Sequence, residues 1–583
     1  LTGAGYTALR FNTTGNYNTA LGDAALYSNT TASNNTAVGY FSTGANTTGT
    51  RNTALGNLSL RTNTTASDNT SIGYFSMLYN TTGASNTALG SQALQANTTA
   101  SNNTAVGYAA GLSVTTGVQN VLIGSIAGDA LTDSDFNVAI GYQALSADTL
   151  GNSSIAIGYN ALRSQNFTSA TNSQNTVIGH NAGQAISTGE ANVLIGQTAA
   201  ADQTTGGYNV ALGTATLRLN TVASQNVAIG HHALYHLEPS SATNTLNVAV
   251  GYHAGKAVTT GIQNTLIGGN AGDALTDSDY NTVVGYEALS SDTLGGRSTA
   301  IGYQALATQN FTSATNVYNT AVGYSAGIAV TTGVNNTLIG GLSGDAITTG
   351  ANNTAVGTSA LSANTTASNN TAVGYHSSRD NTTGSTNASF GVNSLRNNTT
   401  GSSNVAIGEA ALLANTSASN NTAIGQVSLF DNTTGAQNTA VGKSALENNT
   451  TASYNTAVGY QSLLANTTGH NNTAVGTASL DANLTGIENV ALGSSSLSGN
   501  TTGSENVAVG QGALFANTTA SYNTAVGKSA LVTNTTGASN TALGQSALNR
   551  NTTASENTAV GYQAGYTTTT GAYNSVFGHK AWY

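Results

Sequence analysis

Cysteine is absent from all 583 residues. Disulfide staples and thiolate metal sites are therefore excluded, and stability has to come from backbone pairing and packing. Charge is scarce as well: 6% of the residues are charged, against roughly 25% in an ordinary soluble domain. The 13 basic and 23 acidic side chains leave a formal charge of -10, spread without any basic cluster, so no cationic surface exists for a nucleic-acid backbone. No apolar run reaches the roughly 18 residues of a membrane-spanning helix. Proline occurs once, at Pro239, while glycine occurs 69 times, a bias seen in fibrous proteins. Disordered chains are poor in Val, Ile and Leu, whereas here these residues recur at fixed places, so the sequence reads as ordered.

What is present is repetition. With the glycine of N-T-A-V-G as origin, the phrase returns every 17 residues from Gly5 to Gly158, Gly179 to Gly230, Gly251 to Gly302 and Gly323 to Gly578. Between these runs the step is 21, because QNFTSATNSQN, HLEPSSATNTLN and QNFTSATNVYN each add four residues. These additions read as loops on an otherwise regular stack. A longer block, 128 to 151, recurs at 272 to 295, a duplication with an offset of 144. Three compositional zones follow: an NTT-rich array over about 1–110, a central array over about 111–350 holding the duplication and inserts, and an NTT-rich array over about 351–583. The last ends in Lys580, Trp582 and Tyr583, an aromatic end suited to capping the stack or docking a further subunit.

The segment T-A-V-G-Y alternates its side chains and is rich in β-formers, so it reads as a short strand. A second short strand is expected over x-A-L-x-x, ahead of the turn-forming N-T-T-G. The period suits no helix, and Gly and Thr in helix interiors would be unfavourable. The fold class is therefore all-β, a parallel β-roll or β-solenoid of 17-residue coils, each pairing with the next about 4.8 Å away. Bulky residues recur just before the glycine (Val458, Val475, Leu492, Val509) and four after it (Leu463, Leu480, Leu497, Leu514), while Ala457, Ala474, Ala491 and Ala508 occupy the alternate strand face. Apolar residues on both faces imply that one fills the coil and the other meets a partner chain, most simply in a homotrimer.

The phrase N-[TV]-A-[VIL]-G-x-x-[AS]-L, as in NVAIGEAAL (404–412) and NVAVGQGAL (506–514), resembles the head-domain repeats of trimeric autotransporter adhesins and related bacterial or bacteriophage fibre proteins. The resemblance covers nearly the whole chain, although these repeats are longer than those of the adhesin heads. It implies one β-roll turn per repeat, three chains per fibre, an extracellular or cell-surface location, and a surface that binds a receptor, matrix protein or glycan.

Several residue sets are candidates for function. Seven after the reference glycine stand Asn12, Asn29, Asn46, Asn63, Asn80, Asn97, Asn364, Asn381, Asn398, Asn415, Asn432, Asn449, Asn466, Asn483, Asn500, Asn517, Asn534 and Asn551. Each precedes Thr or Ser by two positions, the N-glycosylation pattern, retained as N-L-T at Asn483. The same residues also suit a turn in which Asn bonds its own backbone or its equivalent in the next coil; glycans rooted on every coil would be crowded. A second series, Asn438, Asn455, Asn472, Asn489, Asn506 and Asn523, fails the pattern and reads as a structural ladder. Asp133, Asp135, Asp277 and Asp279 in the two LTDSD segments, with Asp129 and Asp273 nearby, read as corner residues rather than a calcium loop, since no glycine-hinged twelve-residue loop accompanies them. His231, His232 and His236 have metal-like spacing but no second cluster, so no metal and no cofactor is expected. The aromatic after the glycine (Tyr40, Tyr74, Tyr108, Tyr142, Tyr252, Tyr286, Tyr460, Tyr562) either packs beside the strand end or lines a carbohydrate stripe. No paired acids and no nucleophile elbow support catalysis. The expected function is a non-catalytic extracellular fibre or filament subunit that self-associates as a trimer or end to end; the alternative is an adhesin or phage tail fibre that grips a receptor.

Overall fold

The computed structural model describes residues 1–582; Tyr583, part of the expected aromatic end, lies outside the described residues. The fold is a parallel β-solenoid of 34 turns, and no helix occurs among the described residues. Each turn contributes one three-residue strand directly before its reference glycine, such as Thr456–Val458 and Thr473–Val475. Neighbouring strands pair in register, with Thr456 beside Thr473, Ala457 beside Ala474 and Val458 beside Val475. The inserts leave this register intact: Ile155 still pairs with Thr176 and Ile157 with Ile178. The chain forms two compact units, Leu1–Gly296 with Thr312–Ala314, and Arg297–Phe311 with the residues from Thr315 onward.

The central strand residue points inward. Ala457, Ala474, Ala491 and Ala508 are fully buried, together with Leu463, Leu480, Leu497 and Leu514 from the following segment. Small and large side chains thus alternate within the coil, and the bulky residue before the glycine is left on the outside. The reference glycine is required twice over. At Gly459 φ is +136°, and a Cβ there would lie 2.5 Å from the carbonyl oxygen of Gly476 in the next coil.

The second strand expected over x-A-L-x-x does not form. Two residues of this segment are left-handed, Gln461 at φ +54° and Leu463 at φ +53°, and the same alternation recurs from coil to coil. Left-handed residues curl the chain out of an extended path, at a cost of roughly 1–2 kcal/mol each for a non-glycine residue. Their amides are nonetheless paired across coils: Gln461 N–H donates to the Lys443 carbonyl (3.0 Å) and Leu463 N–H to the Ser479 carbonyl (3.0 Å). Pairing without extended geometry is what this half of the coil achieves.

Two solutions fill the core. In most coils the fourth residue after the reference glycine is Leu and the seventh is polar, as with Leu463 and Asn466. In the central array Gly111, Gly128, Gly183, Gly255, Gly272, Gly327 and Gly344 take the fourth position, and Val114, Leu131, Ile186, Val258, Leu275, Val330 and Ile347 take the seventh, all seven fully buried. The volume removed at one site is returned at the other and at the strand centre, where Leu122, Leu194, Leu266 or Leu338 replaces Ala. A Cβ on Gly128 would lie 2.8 Å from both Leu122 Cδ2 and Leu131 Cδ1, so the exchange is coupled.

In-register stacking also accounts for the scarcity of charge. Any charged position repeated in the next coil meets its own sign at about the strand spacing. At one such position the charges are complementary: Arg51 and Asp68 stand in successive coils and pair at 2.6 Å.

Candidate functional site

Both asparagine series point into the coil. Of the eighteen residues that match the glycosylation pattern, all except the half-buried Asn12 of the first coil are fully buried. Asn466 shows the arrangement. Its Nδ2 donates to Asn449 Oδ1 (2.9 Å) and to the Gly469 carbonyl (2.9 Å), while its Oδ1 accepts from Asn483 Nδ2 (2.8 Å). The second series forms a parallel ladder: Asn455 N–H donates to Asn438 Oδ1 (3.0 Å), Asn472 N–H donates to Asn455 Oδ1 (2.9 Å), and Asn455 Nδ2 reaches the same Gly469 carbonyl (2.9 Å). The remaining members, Asn489, Asn506 and Asn523, repeat this pattern. One carbonyl with two lone pairs therefore joins the two ladders in each coil.

At Asn466 both Nδ2 hydrogens are engaged. A glycan on Asn466 would break a hydrogen bond inside the coil, so burial and bonding favour the ladder at this position. The same position holds Val114, Leu131 or Ile186 in the central array, which is the signal that the side chain is internal. Where such a coil follows, the ladder stops, and Asn97 Oδ1 next to the coil of Val114 is buried without a partner. In N-T-T the first Thr is also used, Thr467 Oγ1 donating to the Leu484 carbonyl (3.0 Å). The second, Thr468, is exposed and is the outward hydroxyl of the phrase.

What faces outward is the strand's other side. Its first and third residues are Thr and an aliphatic residue, and the third is exposed by 38% at Val475, 37% at Leu492 and 43% at Leu543. Beside it runs the aromatic row after the glycine, with Tyr40, Tyr74, Tyr108, Tyr142, Tyr252, Tyr286, Tyr460 and Tyr562 all exposed. Where aromatics occupy this position in successive coils the rings stack: Tyr142 on Tyr159 at 5.4 Å and 19°, Tyr159 on His180 at 5.0 Å and 10°. The rings come singly or in short runs between polar residues such as Asn57, Ser91 and Thr477, and each is exposed at the surface.

The acidic corners are largely held by neighbouring coils. Asp135 Oδ1 accepts from Val118 N–H (2.7 Å) and Asp279 Oδ1 from Ile262 N–H (2.8 Å), while Asp133 and Asp277 accept from Thr116 and Thr260 hydroxyls. Asp129, Asp273 and Asp345 differ: each is half-buried with an unpartnered Oδ1, and burial pushes each carboxyl above the ordinary value of 3.8. A raised folded-state value favours the protonated form in the native state, so ionisation weakens the fold as pH rises from 3.8 through the folded value. The triple variant D129N/D273N/D345N is therefore expected to unfold at a higher temperature than the parent at pH 7, with the gap closing as pH approaches 3.8. Calorimetry across that range checks it.

Of the spaced histidines, His231 and His232 come together with His253 from the following coil rather than with His236 as a trio. The nitrogens of this group lie within 4.8 Å of one another. No protein-family profile matches the chain, and no curated protein matches it either.

Proposed function

We propose that the chain is a subunit of an extracellular, non-catalytic structural fibre, and that its outward strand face joins it to further copies of itself as a homotrimer. The observation that carries this reading is the outward aliphatic column, half-buried in most coils and most open at positions such as Val475 and Leu492, set against corners whose Asn and first Thr are engaged within the solenoid. A surface that repeats at the coil spacing is complementary to another surface of the same spacing, which a second copy supplies. Burying the column removes apolar area from water at roughly 25 cal/mol per Å². The resemblance to adhesin-head and phage-fibre repeats supports the same assembly and an extracellular place.

Native mass spectrometry is expected to give a multiple of the 58.0 kDa chain, three by this reading. The paired substitution V475K/L492K, on exposed side chains, is expected to weaken association at least 10-fold while leaving circular dichroism unchanged. A monomer at all concentrations would defeat the proposal.

The exposed tyrosine rows support a second reading, in which the lateral surface stacks on sugar rings of a host glycan or receptor, as in an adhesin or tail fibre. Loss of glycan binding in Y142A, with assembly unchanged, would distinguish it.

A further inference from the structure

We propose that His231, His232 and His253 form a three-imidazole site for a divalent transition-metal ion of the zinc class, which clamps two successive coils together beside the Glu238–Pro239 loop. The placement arises from the repeat. His231 and His232 follow Gly230 directly, and His253 is the second residue after Gly251, so His232 and His253 hold one position in neighbouring coils. Their rings are 5.3 Å apart with planes 5° from parallel. His231 completes the group, its ring centroid 3.7 Å from that of His232 and 5.8 Å from that of His253.

Backbone geometry places these residues side by side on successive coils before any ion arrives. His232 and His253 share φ +58°, and His253 N–H donates to the His231 carbonyl at 3.0 Å. Tyr252 stacks on His231 at 5.5 Å, and Tyr235 stands edge-on to His232 at 4.8 Å, so the rings are supported laterally. His232 Nδ1 is buried and has no hydrogen-bond partner, an unsatisfied lone pair or N–H that a bound ion would resolve. Zinc with three nitrogen ligands at about 2.0–2.1 Å needs nitrogens roughly 3.4 Å apart, so a group already within 4.8 Å closes by side-chain rotation alone. A fourth position remains open to water because His231 is exposed and its partners are only half-buried.

The electrostatics suit a neutral ligand set. Burial lowers the His232 and His253 imidazoles below 6.5, and repulsion from the neighbouring histidines and Lys256 adds to the effect. Neutral imidazole is the form that binds metal. Lys256 opposes a cation, so affinity depends on all three imidazoles acting together. All three histidines belong to one chain and lie within one compact unit.

The test is a calorimetric titration of the untagged full chain with Zn²⁺. One saturable site per chain is expected, weakened at least ~10-fold by H232A and by H253A, the scale on which even outer-shell changes act. H236A, the histidine that sequence spacing alone would have chosen, is expected to leave the site intact. Hydrogen exchange should show Zn²⁺-dependent protection of residues 231–253 in the parent and none in H232A/H253A. Absence of a saturable site, or a site that survives H232A/H253A, overturns the proposal; binding without added protection overturns the clamp.

Discussion

Leu122→Ala and Gly128→Leu, each destabilising alone, are expected to be far less harmful together. Leu122 is fully buried between two glycine-bearing coils, and its truncation opens a cavity costing about 2–5 kcal/mol. Leucine at 128 overpacks the same space, since its Cβ would start 2.8 Å from Leu122 Cδ2, for about 1–3 kcal/mol. The left-handed backbone adds roughly 1–2 kcal/mol, a cost the fold already carries where Leu145 occupies the same position of the next coil at φ +53°, against φ +55° at Gly128. Combining the two rebuilds the arrangement seen at Leu234 and Leu237, where two buried leucines coexist with Ala228. A coupling of at least about 1 kcal/mol is expected from the double-mutant cycle. Native-state hydrogen exchange over these coils is the suitable readout, because a repeat stack opens locally. Additive losses would show that the two core solutions are independent.

Asn466→Asp is expected to be among the most damaging single-atom changes. The two groups that Asn466 Nδ2 faces, the Gly469 carbonyl and Asn449 Oδ1, are both acceptors, so a carboxylate replaces two hydrogen bonds by two repulsions. An unpaired buried charge costs about 3–5 kcal/mol. Acid at this position is not forbidden in itself. Asp148 occupies it in the central array, but there Gly151 N–H (3.1 Å), Phe167 N–H (3.2 Å) and Gln165 Nε2 (2.6 Å) all donate to it. Around Asn466 only one such donor is present, Asn483 Nδ2 (2.8 Å), and it faces Oδ1 rather than the atom that changes. Loss of protection in coils 449–483 at pH 7, partly recovered in acid as the carboxyl regains a proton, is the expected result by hydrogen exchange. Asn466→Asp with unchanged protection would mean that the ladder carries little of the stability.

The period, the strand position, the register across the inserts and the ladder of Asn438 and its equivalents are all legible in the sequence, because each is a spacing. Which strand face lies inside is not. Ala457 and Val458 are both apolar, and only the packing of Leu463 against the alanine column decides it. The left-handed leucines were equally hidden, since a leucine carries no mark of positive φ; the glycines that replace it, such as Gly111 and Gly128, were the available sign. For Asn466 and its equivalents the glycosylation pattern obscured an internal position that Val114 and Leu131 advertise. The nearness of His253 to His232 is not legible in linear spacing, because 21 residues and an insert separate them while His236 lies only four away.

The repeated phrase encodes an internal hydrogen-bonded stack, and the outward strand face is its proposed working surface. Cryo-electron microscopy of the native protein tests both halves at once. The account predicts asparagine side chains laddered inside each coil without sugar density, and the Val475–Leu492 column covered by another copy of the chain. Glycan density on Asn466 and its equivalents, or an outward column bare to solvent in the native assembly, would contradict it.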